Sequence, residues 1–294
     1  MILRHFLHVY DFNSETLRHL LDQALALKKN PIQPLLAGKS LGLIFEKPST
    51  RTRVSFEMGM AQLGGSVISL QNSEIGLNSR EPVKDISRVL SRYVDMVMIR
   101  AYHHRDILEF AAYATVPVIN GLSDLHHPCQ GLADALTILE KKGPLQGLKL
   151  CYIGDGNNVC RSLLEIGTRL GMNVVVCCPQ GYEPDMMGVS ASISHAPAHA
   201  VKEADVIYTD VWTSMGQEKE FAKRMADFEG FAVTTELVAK AKRDVIVMHC
   251  LPAHRDQEIT DAVMESAQSV VFDQAENRMH AQKSLLLHLM GVSL

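Results

Sequence analysis

Several features that would mark particular classes of protein are absent from this 294-residue sequence. Its 29 Lys and Arg residues are outnumbered by 33 Asp and Glu residues, for a net charge of −4, and no long block of basic residues occurs. This balance does not favour binding to nucleic acid or to an anionic membrane. No apolar run approaches the ~20 residues of a bilayer-spanning helix. The segment from Met1 to Phe6 lacks the apolar core and cleavage site of a secretory signal, so we expect a cytoplasmic protein.

Paired metal-binding motifs are also missing. The six cysteines are scattered without metal-type spacing, and in a cytosolic setting we expect them to be thiols. The best local histidine pattern is His195 with His199, but Pro197 lies between them and disfavours a shared helical face. We therefore expect no metal site.

The composition, with 47% hydrophobic and 21% charged residues, is that of a globular chain long enough for two domains. Short apolar runs alternate with helical segments, and this alternation indicates parallel sheets with right-handed crossovers. The predicted fold class is α/β, with two doubly wound parallel-sheet domains. Strands are predicted at 41–45, 66–70, 95–100, 116–119, 148–153, 173–178, 205–209 and 245–248.

The best domain boundary is Gly143-Pro144, which follows a predicted helix over about 130–141. We expect one domain over 1–142 and a second over 143–274. The remaining segment, 275–294, is expected to be a helix that packs back on the first domain.

A candidate anion site lies in the run Glu46-Lys47-Pro48-Ser49-Thr50-Arg51-Thr52-Arg53, directly after a predicted strand. Pro48, Ser49 and Thr50 are helix start signals. A phosphate there would meet backbone N–H groups, the positive end of the helix dipole, hydroxyl donors and a bidentate Arg51 or Arg53. The alternative is a solvated basic helix cap.

Ligands of open α/β sheets bind beyond the carboxyl ends of the strands. This rule selects the residues that directly follow predicted strands, namely Ser49 to Arg53, Arg100, Asn120, Gly154 to Asn158, Asp210 and His249 to Leu251.

The turn Gly154-Asp155-Gly156-Asn157-Asn158 is similar to a dinucleotide-binding fingerprint, so a nicotinamide-dependent oxidoreductase is an alternative. Position 159 is valine rather than a third glycine, and the next strand ends in Cys177-Cys178-Pro179 where an acidic residue is needed. We expect the glycines to let Asn157 or Asn158 approach a polar substrate.

Six motifs, in order along nearly the whole chain, resemble the aspartate/ornithine carbamoyltransferase family and within it the ornithine carbamoyltransferases. They are 45–53 (FEKPSTRTR), 127–130 (HPCQ), 154–158 (GDGNN), 209–217 (TDVWTSMGQ), 249–252 (HCLP) and 275–278 (AENR). The resemblance implies transfer of a carbamoyl group from carbamoyl phosphate to the δ-amine of L-ornithine, which yields L-citrulline and phosphate. It also implies a role in arginine biosynthesis, no metal or organic cofactor, and a homotrimer with active sites at subunit contacts. Two helices, about Leu122–Lys141 and Asn277–Leu289, would bridge the domains.

By the same resemblance, one group of residues binds carbamoyl phosphate. Arg100 would reach its phosphate and carbonyl oxygen, His127 would donate to the carbonyl oxygen, and Gln130 would accept from the NH₂ group. The implied set is Ser49, Thr50, Arg51, Thr52, Arg100, His127, Gln130, Cys250, Leu251 and Arg278.

The resemblance assigns ornithine to Asn158, Asp210, Ser214 and Met215, with the loop around Ser214 as a lid. Cys250 would lie beside the amine, as an orienting ligand or, alternatively, as a covalent nucleophile. The implied catalytic residues are Arg100, His127, Asp210, Cys250 and Arg278.

The sequence departs from the family at Glu74, where a neighbouring subunit usually lends a Gln or His to the phosphate. A carboxylate repels a dianion, so either Glu74 stays outside the site, or Gln71 or Asn72 substitutes, or phosphate affinity is lowered.

Other acceptors form the nearest rival hypothesis. Aspartate is disfavoured because the 249–252 motif lacks a basic pattern, and putrescine because it has no carboxylate for Ser214 and Met215. A non-catalytic phosphate sensor is disfavoured by the complete set of catalytic residue types.

Overall fold

The computed structural model describes residues 4–77, 80–214 and 216–294. The chain divides into two compact units, the first formed by Met1–Leu136 with Glu276–Leu294 and the second by Thr137–Ala275. Each unit contains a parallel sheet with helical crossovers, so the predicted fold class is confirmed.

The first unit is built on a four-stranded parallel sheet in the order β2-β1-β3-β4. Its strands are β1 (Ser40–Phe45), β2 (Ser66–Gln71), β3 (Met96–Arg100) and β4 (Val118–Leu122). Successive connections leave β1 toward β2 on one side and return to β3 on the other. The gap between β1 and β3 is therefore the topological switch point at which open sheets bind ligands.

The helices of this unit cover the sheet with their apolar faces. In α1, Asn13 caps the first turn by accepting from the N–H of Thr16 at 2.8 Å. The buried apolar residues of this helix are Leu17, Leu20, Leu21, Ala24 and Leu27. The helices are α1 (Ser14–Lys29), α2 (Thr50–Gln62), α3 (Asn72–Ile75), α4 (Val83–Leu90) and α5 (His104–Tyr113), after a 3₁₀ turn at Val9–Asp11.

The second unit repeats this plan with a five-stranded parallel sheet in the order β7-β6-β5-β8-β9, so its switch point lies between β5 and β8. The strands are β5 (Lys149–Ile153), β6 (Asn173–Cys177), β7 (Ser192–Ser194), β8 (Val206–Thr209) and β9 (Ile246–His249). The helices are α7 (Asn158–Leu170), α8 (Pro197–Ala200), α9 (Phe221–Asp227), α10 (Thr235–Val238) and α11 (Asp261–Met264), with a 3₁₀ turn at Glu218–Glu220 before α9.

Two long helices contain the boundaries between the units. They are α6 (Pro128–Lys142) and α12 (Val271–Leu289). None of the helices in the described part of the chain combines the length and the apolar character that a bilayer crossing requires.

The structure corrects two local predictions. Asn120 does not follow a strand but lies inside β4, where its amide donates to the carbonyl oxygen of Leu7 at 2.9 Å. Asn120 pairs with Ile99 in the regular part of the ladder, before a register shift at Ile99/Arg100, so β4 continues beyond its predicted end. Strand β7 was not predicted, because its three residues carry no long apolar run.

A lysine is buried in the first unit without exposing any of its surface. Lys283 on α12 is 0% exposed, and its ammonium donates to the carbonyl oxygen of Pro31 and the side-chain oxygen of Gln62, each at 2.8 Å. Burial removes water from the charged form and lowers the Lys283 pKa to about 8.

This burial predicts a pH-dependent difference in stability between the wild type and Lys283→Met. Between pH 8 and 10.5 the unfolded lysine keeps its proton while the folded one has lost it, so the lysine's contribution to stability grows as pH rises. In this window the free energy of unfolding of the wild type should rise, relative to that of the variant, by up to about 1.4 kcal/mol per pH unit. Urea unfolding at several pH values measures this gain.

The exposed Lys240, replaced by Met, is the matched control. A stability difference between the wild type and Lys283→Met that stays constant from pH 8 to 10.5 would contradict the prediction.

Candidate active site

The segments that follow β1 and β3 are tied together at the switch point of the first sheet. Phe45 pairs with Arg100, and the next residue, Glu46, donates its N–H to the carbonyl oxygen of Arg100 at 2.9 Å. The Glu46 carboxylate in turn accepts from the N–H of Tyr102 at 2.9 Å. The start of α2 and the side chain of Arg100 are thus fixed at one edge of the sheet.

Helix α2 presents its amino end at this edge. Ser49 is the N-cap, in an extended conformation, and its hydroxyl accepts from the N–H of Thr52 at 3.3 Å. Arg53 is exposed and pairs with Glu57 at 2.9 Å, whereas Arg51 is half-buried and contributes to the field at His127. Of the two arginines that the sequence offered for an anion, Arg51 therefore has the geometry of a site residue.

A neutral imidazole lies among three guanidinium groups. His127 is buried, and its pKa is held well below the usual value first by burial and then by Arg278, Arg100 and Arg51. Arg100 and Arg278 are themselves 5% and 2% exposed. This part of the first unit therefore combines a high positive potential, suited to a dianion, with an uncharged ring that can donate one N–H.

Arg278 contacts two other predicted site residues directly. Its guanidinium donates to the side-chain oxygen of Gln130 at 2.8 Å and to the hydroxyl of Thr52 at 3.2 Å. The Gln130 NH₂ group donates to Asp134 at 2.8 Å, so the amide orientation is fixed from both ends. The oxygen that the sequence assigned to the carbamoyl NH₂ thus already contacts Arg278 and keeps one further lone pair. Asp134 was missed, although its position four residues after Gln130 on a helix is a signal.

The second sheet gathers polar groups at its own switch point. Thr209 pairs with both Ile153 and His249, so the residues that follow β5, β8 and β9 emerge side by side. Asp210 is 5% exposed, and one of its carboxylate oxygens accepts from the Cys250 thiol at 3.0 Å. The predicted pair of Asp210 and Cys250 is therefore in direct contact.

The two asparagines of the turn after β5 have different positions. Asn157 caps α7, with its side-chain oxygen accepting from the N–H groups of Val159 and Cys160, each at 3.0 Å. Its amide nitrogen donates to the second carboxylate oxygen of Asp210 at 2.9 Å. Asn158 is the first residue of the helix. The sequence left open which asparagine orients the site, and Asn157 makes the contact with Asp210.

Close packing of the backbone, rather than dinucleotide binding, explains the glycine at position 156. Its N–H donates to the carbonyl oxygen of Tyr182 at 2.9 Å, and a Cβ atom at this position would lie 2.3 Å from the backbone nitrogen of Pro184. The absence of a side chain lets two backbone segments meet, and this removes the main support for the nicotinamide alternative.

The predicted lid begins beside a buried ion pair. Arg224 donates to Asp155 at 2.8 Å and to the carbonyl oxygen of Trp212 at 2.9 Å, which fixes the start of the loop. Ser214 donates its N–H to the side-chain oxygen of Gln217 at 3.1 Å. Met215 lies outside the described residues, so the lid stays a prediction.

The backbone at Leu251 is held in a costly conformation. Its φ of 61° lies in the left-handed region, which is strained for a residue with a side chain. The N–H of Leu251 donates to Nδ1 of His249 at 2.8 Å, and the other ring nitrogen donates to Glu258 at 3.1 Å. Glu258 and His249 are both 0% exposed, and through these two hydrogen bonds they hold the backbone N–H of Leu251, next to Cys250. No local sequence signal points to Glu258.

Glu74 turns back onto its own chain. Its carboxylate accepts from the N–H of Gln71 at 2.6 Å and closes the capping box of α3. Of the three possibilities raised by the sequence, this geometry favours the one in which Glu74 stays outside the phosphate site.

Comparison with known proteins agrees with this geometry. The family model described as "Aspartate/ornithine carbamoyltransferase, carbamoyl-P binding domain" matches residues 4–140, and the one described as "Asp/Orn binding domain" matches residues 146–289. The chain therefore belongs to the aspartate/ornithine carbamoyltransferase family.

The individual relatives reported next are named ornithine carbamoyltransferases. An ornithine carbamoyltransferase of Thermococcus kodakarensis is 54% identical over 98% of this chain and 96% of its own. A relative from Pyrococcus furiosus named "Ornithine carbamoyltransferase, anabolic" is 52% identical over the same shares. The solved structure of ornithine carbamoyltransferase from Pyrococcus furiosus superposes with a TM-score of 0.95 at 51% identity, covering 99% of this chain and 98% of that one.

Proposed function

We propose that this protein is an ornithine carbamoyltransferase, which converts carbamoyl phosphate and L-ornithine to L-citrulline and phosphate. The observation that carries the proposal is the buried group of His127, Arg100 and Arg278, in which Arg278 donates to Gln130 and to Thr52 at the start of α2. Carbamoyl phosphate needs both elements of this arrangement, because it presents a phosphate dianion and a carbonyl oxygen that becomes negative under attack. A full-length identity above 50% to named ornithine carbamoyltransferases supports ornithine as the acceptor.

The donor side supports a division of labour among the residues of the first unit. The amino end of α2, with Ser49, Thr50, Arg51 and Thr52, suits the phosphate, which must also be stabilised as it leaves. Arg100 and Arg278 can neutralise charge on the phosphate and carbamoyl oxygens. An imidazole that stays neutral can donate its N–H to the oxyanion throughout the neutral pH range.

The acceptor side is proposed to bind ornithine through Asn158, Asp210, Ser214 and Met215. The lone pair of the δ-amine forms the new C–N bond, the C–O bond to phosphate breaks, and phosphate leaves with that electron pair. The amine attacks in its deprotonated form, and the proton that it loses as the C–N bond forms passes to the departing phosphate, which is released as HPO₄²⁻. Asp210 and Cys250, in contact at 3.0 Å, offer groups that can orient the amine.

Cys250 is proposed to orient rather than attack. Its thiol donates its proton to Asp210, and a thiol engaged as a donor is a poor nucleophile compared with a thiolate. Direct transfer to the amine also needs no carbamoyl-thiol intermediate. Leu251, whose backbone is fixed by His249, is proposed to offer its carbonyl oxygen to the carbamoyl NH₂ group.

Further properties follow from the family rather than from the chain alone, and we propose them together. The domains 1–142 and 143–274 bind carbamoyl phosphate and ornithine, the segment 275–294 returns to the first domain, and three copies assemble into a cytoplasmic homotrimer. The name "anabolic" given to one relative supports a role in arginine biosynthesis.

An acceptor assay tests the function. Purified protein with carbamoyl phosphate should form citrulline from L-ornithine, and should carbamoylate putrescine, aspartate or Nα-acetylornithine far more slowly. Colorimetric detection of the ureido product measures each rate. Absence of citrulline, or faster turnover of another acceptor, would overturn the proposal.

Removal of the His127 donor should slow the chemical step. We expect His127→Ala to lower kcat about 10²-fold, because one oxyanion donor is lost. His127→Gln keeps an N–H donor and should lose less. Since the His127 pKa is already well below its usual value, the wild-type kcat should show no histidine titration near pH 6.5. Wild-type turnover in His127→Ala would refute the donor role.

Replacement of Cys250 distinguishes orientation from covalent catalysis. Cys250→Ala should retain measurable activity with a raised KM for ornithine, and Cys250→Ser should be closer to wild type because its hydroxyl can still donate to Asp210. Mass spectrometry of the wild type quenched during turnover should show no carbamoyl adduct. Complete loss of activity in both variants, together with a trapped carbamoyl-thiol, would favour the covalent route.

A further inference from the structure

Three side chains with metal-binding chemistry meet at the edge of the second sheet, outside the residues assigned to the reaction. The ligand atoms of Cys178, Glu183 and His195 all lie within 4.8 Å of one another. Cys177 pairs with Ser194 in the sheet, so the following residues, Cys178 and His195, leave neighbouring parallel strands at the same edge. The N–H of Cys178 also donates to the carbonyl oxygen of Ser194 at 3.2 Å, which extends this alignment.

The histidine ring is oriented as metal-binding rings are. Nδ1 of His195 lies 2.7 Å from the carbonyl oxygen of Cys178, and because a carbonyl only accepts, Nδ1 carries the proton. A backbone carbonyl on the second ring nitrogen is the usual outer partner of a metal-binding histidine. In the neutral ring, Nε2 then presents its lone pair.

The carboxylate is oriented toward that lone pair. One oxygen of Glu183 accepts from the N–H of Gly181 at 2.9 Å, and the other lies 3.7 Å from Nε2 of His195. Two atoms that both present lone pairs repel at this distance unless a proton or a cation lies between them. The turn that contains Gly181, with a φ of 87°, places the Gly181 N–H against this carboxylate.

We propose that Cys178, Glu183 and His195 form a binding site for a borderline divalent cation of the Zn²⁺ class. One sulfur, one nitrogen and one oxygen donor match the preferences of zinc and exclude the hard cations Mg²⁺ and Ca²⁺, which favour oxygen alone. Three protein ligands leave a fourth position for water. The side chains of Glu183 and His195 are 33% and 41% exposed, which gives the ion a route from solvent.

Binding of the metal ion changes the protonation of one ligand only. The Cys178 thiol loses its proton to solvent as the S–metal bond forms, since a coordinating thiol is deprotonated outright. No other bond is made or broken. The bound ion would cross-link the loop after β6 to the end of β7, and β7 is an edge strand of three residues.

In the sequence the nearest histidine to His195 is His199, but in the structure the ring of His195 lies beside Cys178 and Glu183. His199 lies on the short helix α8 and is not a member of the group. It offers a surface histidine, four residues away, that serves as a matched control.

Any experiment must distinguish this site from a second group of possible metal ligands. Asp210, His249 and Cys250 also lie within 4.8 Å of one another, but they belong to the acceptor site described above. Both ring nitrogens of His249 are engaged, by the N–H of Leu251 and by Glu258. The test therefore uses full-length protein in which Cys250→Ser removes the thiol of that second group.

The Cys250→Ser protein, equilibrated with ZnCl₂ and freed of excess ion, should retain one zinc per chain by atomic absorption. With CoCl₂ it should show the ultraviolet charge-transfer band of a cobalt–thiolate bond. Adding His195→Gln, Glu183→Gln or Cys178→Ser should weaken zinc binding at least about 10-fold, the scale on which even outer partners of metal sites act. His199→Gln should bind zinc like its parent, and MgCl₂ should not compete.

Zinc should also raise the thermal midpoint of the Cys250→Ser parent, because binding to the folded state stabilises it, and should not raise that of the His195→Gln variant. Circular dichroism checks folding, and the partly exposed Glu183 and His195 carry the test if Cys178→Ser misfolds. No zinc retained by the Cys250→Ser parent, or unchanged binding after His195→Gln, would overturn the proposal.

Discussion

The guanidinium of Arg278 holds together the residues that are proposed to bind carbamoyl phosphate. Its hydrogen bonds to Gln130 and Thr52 join residues that are 148 and 226 positions away in the chain, so α12, α6 and α2 are linked through one side chain. The same group is the largest charged influence on His127. This buried cation thus fixes the positions of Gln130 and Thr52, and it adds to the effect of burial, which is the main cause of the lowered His127 pKa.

The two units place their candidate site residues at equivalent positions of their sheets. Each has a parallel sheet whose strand order reverses once, and in each the residues of interest lie at or just after the carboxyl ends of the two strands that flank the reversal. In the first unit the result is a cationic edge around Arg51 and Arg100. In the second it is an acidic and polar edge around Asp210 and Asn157. One architecture therefore supplies one edge suited to the anionic donor and another suited to the amino acid acceptor, as proposed above.

The sequence was sufficient for features that depend on neighbouring residues. The helix start at Ser49 and the turn at Gly154 follow from local conformational preferences, and the alternation of strands and helices follows from periodicity. It was insufficient where partners are distant or where sheet pairing decides. Glu258, and the group of Cys178 with His195, depend on contacts between strands and loops. Asn120 was misplaced because the group that its amide contacts within the strand, the carbonyl oxygen of Leu7, is 113 positions away in the chain.

Gly156 changes how substitution patterns around the site should be interpreted. A Cβ atom there would collide with the backbone at Pro184, so selection against every other amino acid acts at this position whether or not a ligand touches it. Invariance of the Gly154 to Asn158 turn across relatives would accordingly mix two separate pressures. Conservation at Asn157 reports on the orientation of Asp210, whereas conservation one residue earlier reports only on the distance between two main chains.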